Sequence, residues 1–167
     1  MKAIGGPRPK GEAHIWKWNT VYPKLMEACD ALPESFAAWR SLLFQNPGIE
    51  GGGTTHTLLM GIQIIRPGEV AWAHRHTSSA MYFVVRGEGA TVVGEKEMAW
   101  EKHDSFVVPN WAWHEHVNRS QSEEAILFSV NDIPVMNAFG LYREEPKNSL
   151  YAVAAPPVPA ARKAGAD

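Results

Sequence analysis

The stretch "AHRHTSSAMYFVVRGEG", residues 73–89, places two histidines one residue apart at the head of an alternating apolar run. In an extended strand successive side chains point to opposite faces, so His74 and His76 share a face while Arg75 points away. Two imidazoles so placed can meet one cation without distorting the backbone. Two solvated neighbours would show the same spacing. The pair becomes a metal-binding edge only if the rest of the chain supplies a third ligand and something for the metal to act on.

Working outward, residues 54 to 131 read as short strands between turns. The strand segments are "HTLLMGIQIIRPGE", "VAWAHRH", "AMYFVVRGEG", "GATVVGEKEMAW", "DSFVVPNWAWHEHVN" and "EEAILFSVND". Turn signals at Pro67-Gly68, Gly87-Glu88-Gly89, Gly94-Glu95 and Pro109-Asn110 give the rhythm of an all-β sandwich or barrel. No helix alternates with these strands, which argues against a parallel α/β sheet. Upstream, "NTVYPKLMEACDAL" (19–32) carries Leu25, Met26 and Cys29 at helical spacing. Thr20 or Asn19 offers an N-cap, and Pro33 ends the helix. "PESFAAWR" predicts a further helical turn or two, and "RSLLFQNPG" a short strand closed at Asn46-Pro47-Gly48. The end, "AVAAPPVPAARKAGAD", is Ala/Pro-rich and reads as disordered. The expected organisation is an extension over 1–53, a barrel over 54–145 and a tail over 146–167.

A chain of 167 residues with 45% hydrophobic content fits one domain with a real core. A net charge of −2 with both signs interspersed argues against nucleic acid or an anionic membrane as the main partner. The lone Cys29 cannot form an internal disulfide and belongs to no Cys-rich zinc pattern. No apolar run reaches membrane-spanning length and the start carries no apolar leader, so a soluble cytoplasmic protein is expected. Exposed edge strands and the apolar lead-in predict a homo-oligomer, a dimer or higher. Seven tryptophans, several flanking the histidines, suggest an aromatic-lined cavity.

About forty residues after His74 comes "DSFVVPNWAWHEHVN". Gly68, His74-Arg75-His76 and Gly87, followed by Pro109-Asn110-Trp111, His114 and Asn118, resemble the two signature motifs of cupins. The resemblance implies an all-β fold, a single cupin double-stranded β-helix (jelly-roll barrel) with an N-terminal helical extension. It implies a metal held by His74, His76 and His114. Two departures stand out. The Glu that usually joins the first motif is missing, with Ala80 and Met81 at its positions, and the Gly positions of the second motif hold His103 and Trp111.

Within the cupins, "GIQIIRPGEVAWAHRHT", "VVPNWAWHEHVN" and "NDIPVMNAFGLYREE" resemble the gentisate and salicylate 1,2-dioxygenases. Those are typically bicupins, so this chain resembles one half. The resemblance implies one Fe(II) per chain, a small aromatic substrate and O2. Three neutral imidazoles leave open positions on a dication, enough for two ring oxygens and O2. The same ligands also accept Zn, Ni or Mn, so they do not decide the metal. By resemblance, His116 sits beside the substrate, where it transfers a proton or hydrogen-bonds a ring oxygen; otherwise it is a rim histidine. Gln63 matches a pocket glutamine, and Arg40 an arginine that binds a substrate carboxylate. Both also suit plain structural roles. In "SAMYF", Tyr82 stands where the family has a carboxylate-binding Arg; a phenol cannot neutralise a carboxylate. Trp113 is a candidate substrate contact, and Trp72, Trp111 and Trp113 either line the pocket or fill the barrel. The alternatives to a ring-cleaving dioxygenase are a non-catalytic metal- or small-molecule-binding cupin, and a zinc or nickel cupin doing isomerase or hydrolase work.

Overall fold

Val21, Leu25 and Cys29 recur at four-residue spacing and form the buried stripe of an amphipathic helix, α1 (Trp18–Ala31). The computed structural model describes residues 10–33, 37–38, 40–49 and 51–147. α1 begins upstream of the expected caps. The amide groups of Thr20 and Val21 both bond to the carbonyl of Lys17, which is the N-cap and makes no side-chain cap bond. Asn19 and Thr20 therefore lie inside the helix. After α1 come β1 (Ser41–Phe44), β2 (Leu59–Ile65), β3 (Val70–His76), β4 (Ala80–Arg86), β5 (Gly89–Val93), β6 (Lys96–Trp100), β7 (Ser105–Val108), β8 (His114–Asn118) and β9 (Ala125–Asn131). A short helix α2 (Ile133–Ala138) and a final strand β10 (Glu144–Pro146) follow.

The strands build two five-stranded antiparallel sheets, ordered β1-β2-β9-β4-β7 and β10-β3-β8-β5-β6. Their interleaved order means that the chain passes repeatedly from one sheet to the other, the jelly-roll arrangement expected of a cupin. The described ladders do not join into a closed barrel, so the architecture is a sandwich. Two apolar layers hold it. Outside the first sheet, Val21, Leu25 and Cys29 pack on Phe44, Ile62, Ile64 and Ile126. Between the sheets, Ile65, Ala71, Val84, Trp100, Ala125 and Leu127 form a second cluster. Each fully buried Leu, Ile or Val side chain in these layers contributes roughly 1.5–3 kcal/mol. Residues facing inward beyond the second cluster surround the histidines.

α2 and β10 were not anticipated from "NDIPVMNAFGLYREEP". β10 has three residues, two of them charged, and no apolar alternation to reveal it. It pairs with β3 alongside the histidines, Glu144 opposite His76 and Pro146 opposite His74. Pro146 was expected to open a disordered tail; the rest of that tail, and most of the "PESFAAWR" turn, lie outside the described residues. Among the described residues, His103 (φ 80) and Trp111 (φ 59) are the non-glycine residues with left-handed backbone. They occupy the two places where the resembled motif carries glycine. The turns keep the glycine conformation although the side chains have changed.

Candidate metal centre

Strict alternation along β3 would put Ala71 and His74, three residues apart, on opposite faces. A β-bulge intervenes: Ala71 is opposite His116 and His74 opposite His114, three residues of β3 against two of β8. Trp72 faces out, 42% exposed, and the extra residue lets Ala71 and His74 both point between the sheets. His74, His76 and His114 then converge, each offering one ring nitrogen, and these atoms lie within 4.8 Å of one another. Imidazole nitrogens ~2.1 Å from one ion stand roughly 3–4 Å apart, so small ring rotations bring the set to bonding distance.

The other ring nitrogen of each histidine is already occupied. Nδ1 lies 3.2 Å from the Trp72 carbonyl oxygen in His74, 2.8 Å from that of Ser78 in His76, where the Ser78 hydroxyl also stands at 3.0 Å, and 2.9 Å from that of Ala112 in His114. A carbonyl oxygen only accepts, so each Nδ1 carries the hydrogen and each Nε2 is left with a lone pair. His114 Nε2 is buried without a hydrogen-bond partner. Burial, then the neighbouring His74, pushes the His114 imidazole down to about 3. Burial likewise lowers His74, against the opposing pull of the Trp72 carbonyl and the charge of Glu144. One ring nitrogen of each histidine is thus aimed at a common point, and among the described residues no carboxylate belongs to the cluster. A divalent cation with affinity for imidazole fits this donor set.

His116 sits two residues beyond His114 on the same face, wholly buried, with ring centroids 5.7 Å apart. Its Nδ1 lies 2.8 Å from Thr91 Oγ1, which in turn accepts a bond from Trp100 Nε1 at 2.9 Å. Its Nε2 is buried and unpartnered. Burial, reinforced by the three other imidazoles, pushes it well below the ordinary histidine range. Tyr82 lies against it edge-on, centroids 4.8 Å apart, and stacks on Phe106 at 4.9 Å. Burial raises the Tyr82 phenol, with the charge of Glu144 adding to it. His116 and Tyr82 are thus brought together beside the three-histidine cluster.

Other expected residues have different partners. Arg40 is 1% exposed, and its guanidinium pairs with Glu69 and donates twice to the Leu32 carbonyl at the end of α1. These contacts tie the lead-in to the β2–β3 turn, rather than leaving the group for a substrate carboxylate. Trp113 faces out: the Arg75 guanidinium lies 4.6 Å from its ring and 4.3 Å from that of Trp111, on the face away from the ligands. Trp113 thus stacks on a cation. Gln63 is on the inner face of β2, and its amide donates to the carbonyls of Ala37 and Ala38. Four residues near the site carried no motif. Thr91 and Trp100 lie behind His116. Glu144 shares a face with His76 across the β10–β3 pair, and Tyr142 donates to it at 2.8 Å. No spacing rule points to them, because sheet pairing alone brings them in.

A family model described as "Cupin domain" matches residues 61–131, from β2 to the end of β9. The chain is 40% identical over 150 residues to a 1-hydroxy-2-naphthoate 1,2-dioxygenase of Nocardioides sp. (strain KP7), covering 87% of this chain and 38% of that one. It is 48% identical over 104 residues to a 5-aminosalicylate 1,2-dioxygenase of Comamonas sp., covering 62% and 27%. Among solved structures, a salicylate 1,2-dioxygenase from Pseudoaminobacter salicylatoxidans with gentisate adducts superposes with a TM-score of 0.76 at 29% identity, covering 85% of this chain and 39% of that one. The chain spans about two fifths or less of the length of these relatives.

Proposed function

We propose that this cupin chain is a cytoplasmic, iron(II)-dependent dioxygenase that opens the ring of a hydroxylated aromatic of the gentisate and salicylate class. His74, His76 and His114 hold the metal. When bound, the metal would supply Lewis-acidic, redox-active chemistry to a ring substrate and dioxygen. The carrying observation is the donor set: three histidine ring nitrogens lie within 4.8 Å of one another, each Nδ1 stands by a backbone carbonyl, and among the described residues no carboxylate joins them. The 1,2-dioxygenase names of the relatives support the same reaction class.

The residues around the metal orient the ring and keep water out. Tyr82 and Phe106 form an apolar wall, with His116 at its edge. Gln63 braces the 37–38 turn against the inner face of β2, and so acts on the pocket from behind. Arg40 and Trp113 contribute to the frame and make no substrate contact in this reading. A homo-oligomer is proposed on the outer face of β4 and β7, where Met81, Phe83 and Val107 are 56%, 40% and 54% exposed next to one another.

The test is anaerobic loading with Fe(II), followed by oxygen uptake and product absorbance with salicylates, gentisate, aminosalicylates and hydroxynaphthoates. Uptake of one O2 per ring opened is expected. The second reading, a ring-binding cupin without turnover, is favoured by Tyr82, since its phenol cannot neutralise a ring carboxylate. Tight binding of a ring with no oxygen uptake in the fully loaded protein would select it.

A further inference from the structure

His116 ends a chain of buried side chains whose hydrogen bonds run in one direction. Trp100 Nε1 is a donor only, so the 2.9 Å bond to Thr91 Oγ1 has a fixed sense. Thr91 is wholly buried, and among the described residues its hydroxyl has one further partner, His116 Nδ1 at 2.8 Å. If His116 Nδ1 carried a hydrogen, two N–H groups would converge on the threonine oxygen. The threonine's own hydrogen would then be stranded in the core, an arrangement buried polar groups avoid. The hydroxyl must donate to Nδ1.

We infer that Thr91, oriented by Trp100, is a positioning residue that holds His116 as its Nε2–H tautomer, so that His116 presents a hydrogen-bond donor to the metal pocket. The three ligand histidines are set the opposite way by backbone carbonyls. His114 and His116, two residues apart on one strand, thus receive opposite tautomers from Ala112 and Thr91. His116 is not in the set of ring nitrogens that lie within 4.8 Å of one another, and its tautomer is consistent with that. His116 Nε2 is buried, unpartnered and next to His114, yet a nitrogen bearing a hydrogen offers no lone pair to a cation. It also selects between the two roles considered for His116. A ring held as Nε2–H can donate to an oxygen of the bound aromatic, and it cannot take a proton from one through that atom. The identity of that oxygen rests on the dioxygenase reading; the tautomer does not.

The experiment is long-range 1H–15N correlation on the 15N-histidine-labelled full chain loaded with zinc as a diamagnetic probe. The expected result is a neutral His116 with its hydrogen on Nε2, beside three histidines with hydrogen on Nδ1. A hydrogen on Nδ1 of His116 overturns the inference. Thr91→Val should move His116 to the Nδ1–H form or to a mixture, Thr91→Ser should restore the native pattern, and Trp100→Phe should weaken it. An unchanged Nε2–H signal in Thr91→Val overturns the role of Thr91. In the iron-loaded protein, Thr91→Val should lower kcat/KM on the ring substrate roughly tenfold or more at unchanged metal content, with recovery in Thr91→Ser. Absence of any ring turnover in the wild-type protein alongside the expected tautomers would overturn the dioxygenase reading and leave the tautomer assignment standing.

Discussion

Metal-free protein should lose stability on mild acidification, and His114 gives the scale. Its imidazole is pushed from 6.5 to about 3 in the folded chain by burial and by the adjacent His74. Because the folded value lies below the unfolded one, the unfolded chain takes up the proton first as pH falls. The stabilisation is therefore full above pH ~6.5 and is lost progressively toward the folded value, at about 1.4 kcal/mol per pH unit. Between pH 6.5 and 5 this one side chain accounts for about 2 kcal/mol. His74 and His116 are lowered by burial in the same direction and steepen the loss. Against a typical total of ~5–15 kcal/mol, that is a substantial fraction in a range where carboxylates barely titrate. The assay is urea unfolding of chelator-treated protein at pH 8, 7, 6 and 5, with the m-value checked for constancy. The midpoint should fall with pH, and His114→Gln should flatten the slope by up to about 1.4 kcal/mol per unit. Saturating metal should protect by RT ln(1 + [L]/Kd), about 2.7 kcal/mol at a hundredfold excess over Kd. Parallel stability curves for wild type and His114→Gln would refute the argument.

Replacing Arg40 by Met leaves the Glu69 carboxylate, 12% exposed, with the Arg66 amide but no cation, and should cost about 3 kcal/mol in unfolding free energy while leaving KM unaffected. A raised KM at full stability would return Arg40 to the substrate. A Cβ at Gly89 would meet the Val117 carbonyl at 2.2 Å and the Trp100 ring at 2.5 Å. Gly89→Ala should thus destabilise by roughly 1–3 kcal/mol in denaturant titration, and wild-type stability would contradict the packing described. At His103, held at φ 80, Gly should be tolerated better than Val by about 1–2 kcal/mol; equal midpoints would mean that the turn relaxes. Tyr82→Arg places a cation on the pocket wall and should tighten binding of carboxylated rings by about 1.5–3 kcal/mol, roughly ten- to a hundredfold in Kd by anaerobic titration. No change in Kd would remove Tyr82 from the binding surface.

The sequence carried the architecture because its strands alternate cleanly and its turns are marked by glycine and proline. Where those signals fail, so did the reading. α1 starts at Trp18 through the Lys17 carbonyl, a backbone bond that no capping side chain announces. β10 is too short to show a period, and it exists because β3 offers it an edge. The histidine cluster was legible from motif spacing, and the i, i+2 relation of His74 and His76 holds, but the strand before them is not regular. His74 faces inward with both Ala71 and His76 only because a bulge absorbs one residue between Ala71 and His74. Bulges depend on how two strands pair, so local sequence does not reveal them. The surroundings of the substrate-side candidates were hidden for a related reason. Arg40 and Trp113 have the chemistry to hold a ring, but their partners, Glu69 and Arg75, lie elsewhere in the fold and claim them first.

The same logic runs in reverse at His116. Its residue type permits a base, a ligand or a donor, and nothing within β8 chooses among them. The choice is made across the β5–β8 pair, where Thr91 stands opposite His116 in register, and across the β5–β6 hairpin, which lets Trp100 reach Thr91 from behind. A one-residue slip of β5 would turn Thr91 to the outer face and put Ala90 or Val92 opposite His116, neither of which can hydrogen-bond it. Gly89, too close to the Trp100 ring to carry a side chain, lets the indole lie against β5 in this register. The chemistry of the pocket is thereby tied to strand register: the turn at Gly94 and Glu95, by setting how β5 meets β6, helps determine which nitrogen of a histidine on a third strand carries its hydrogen.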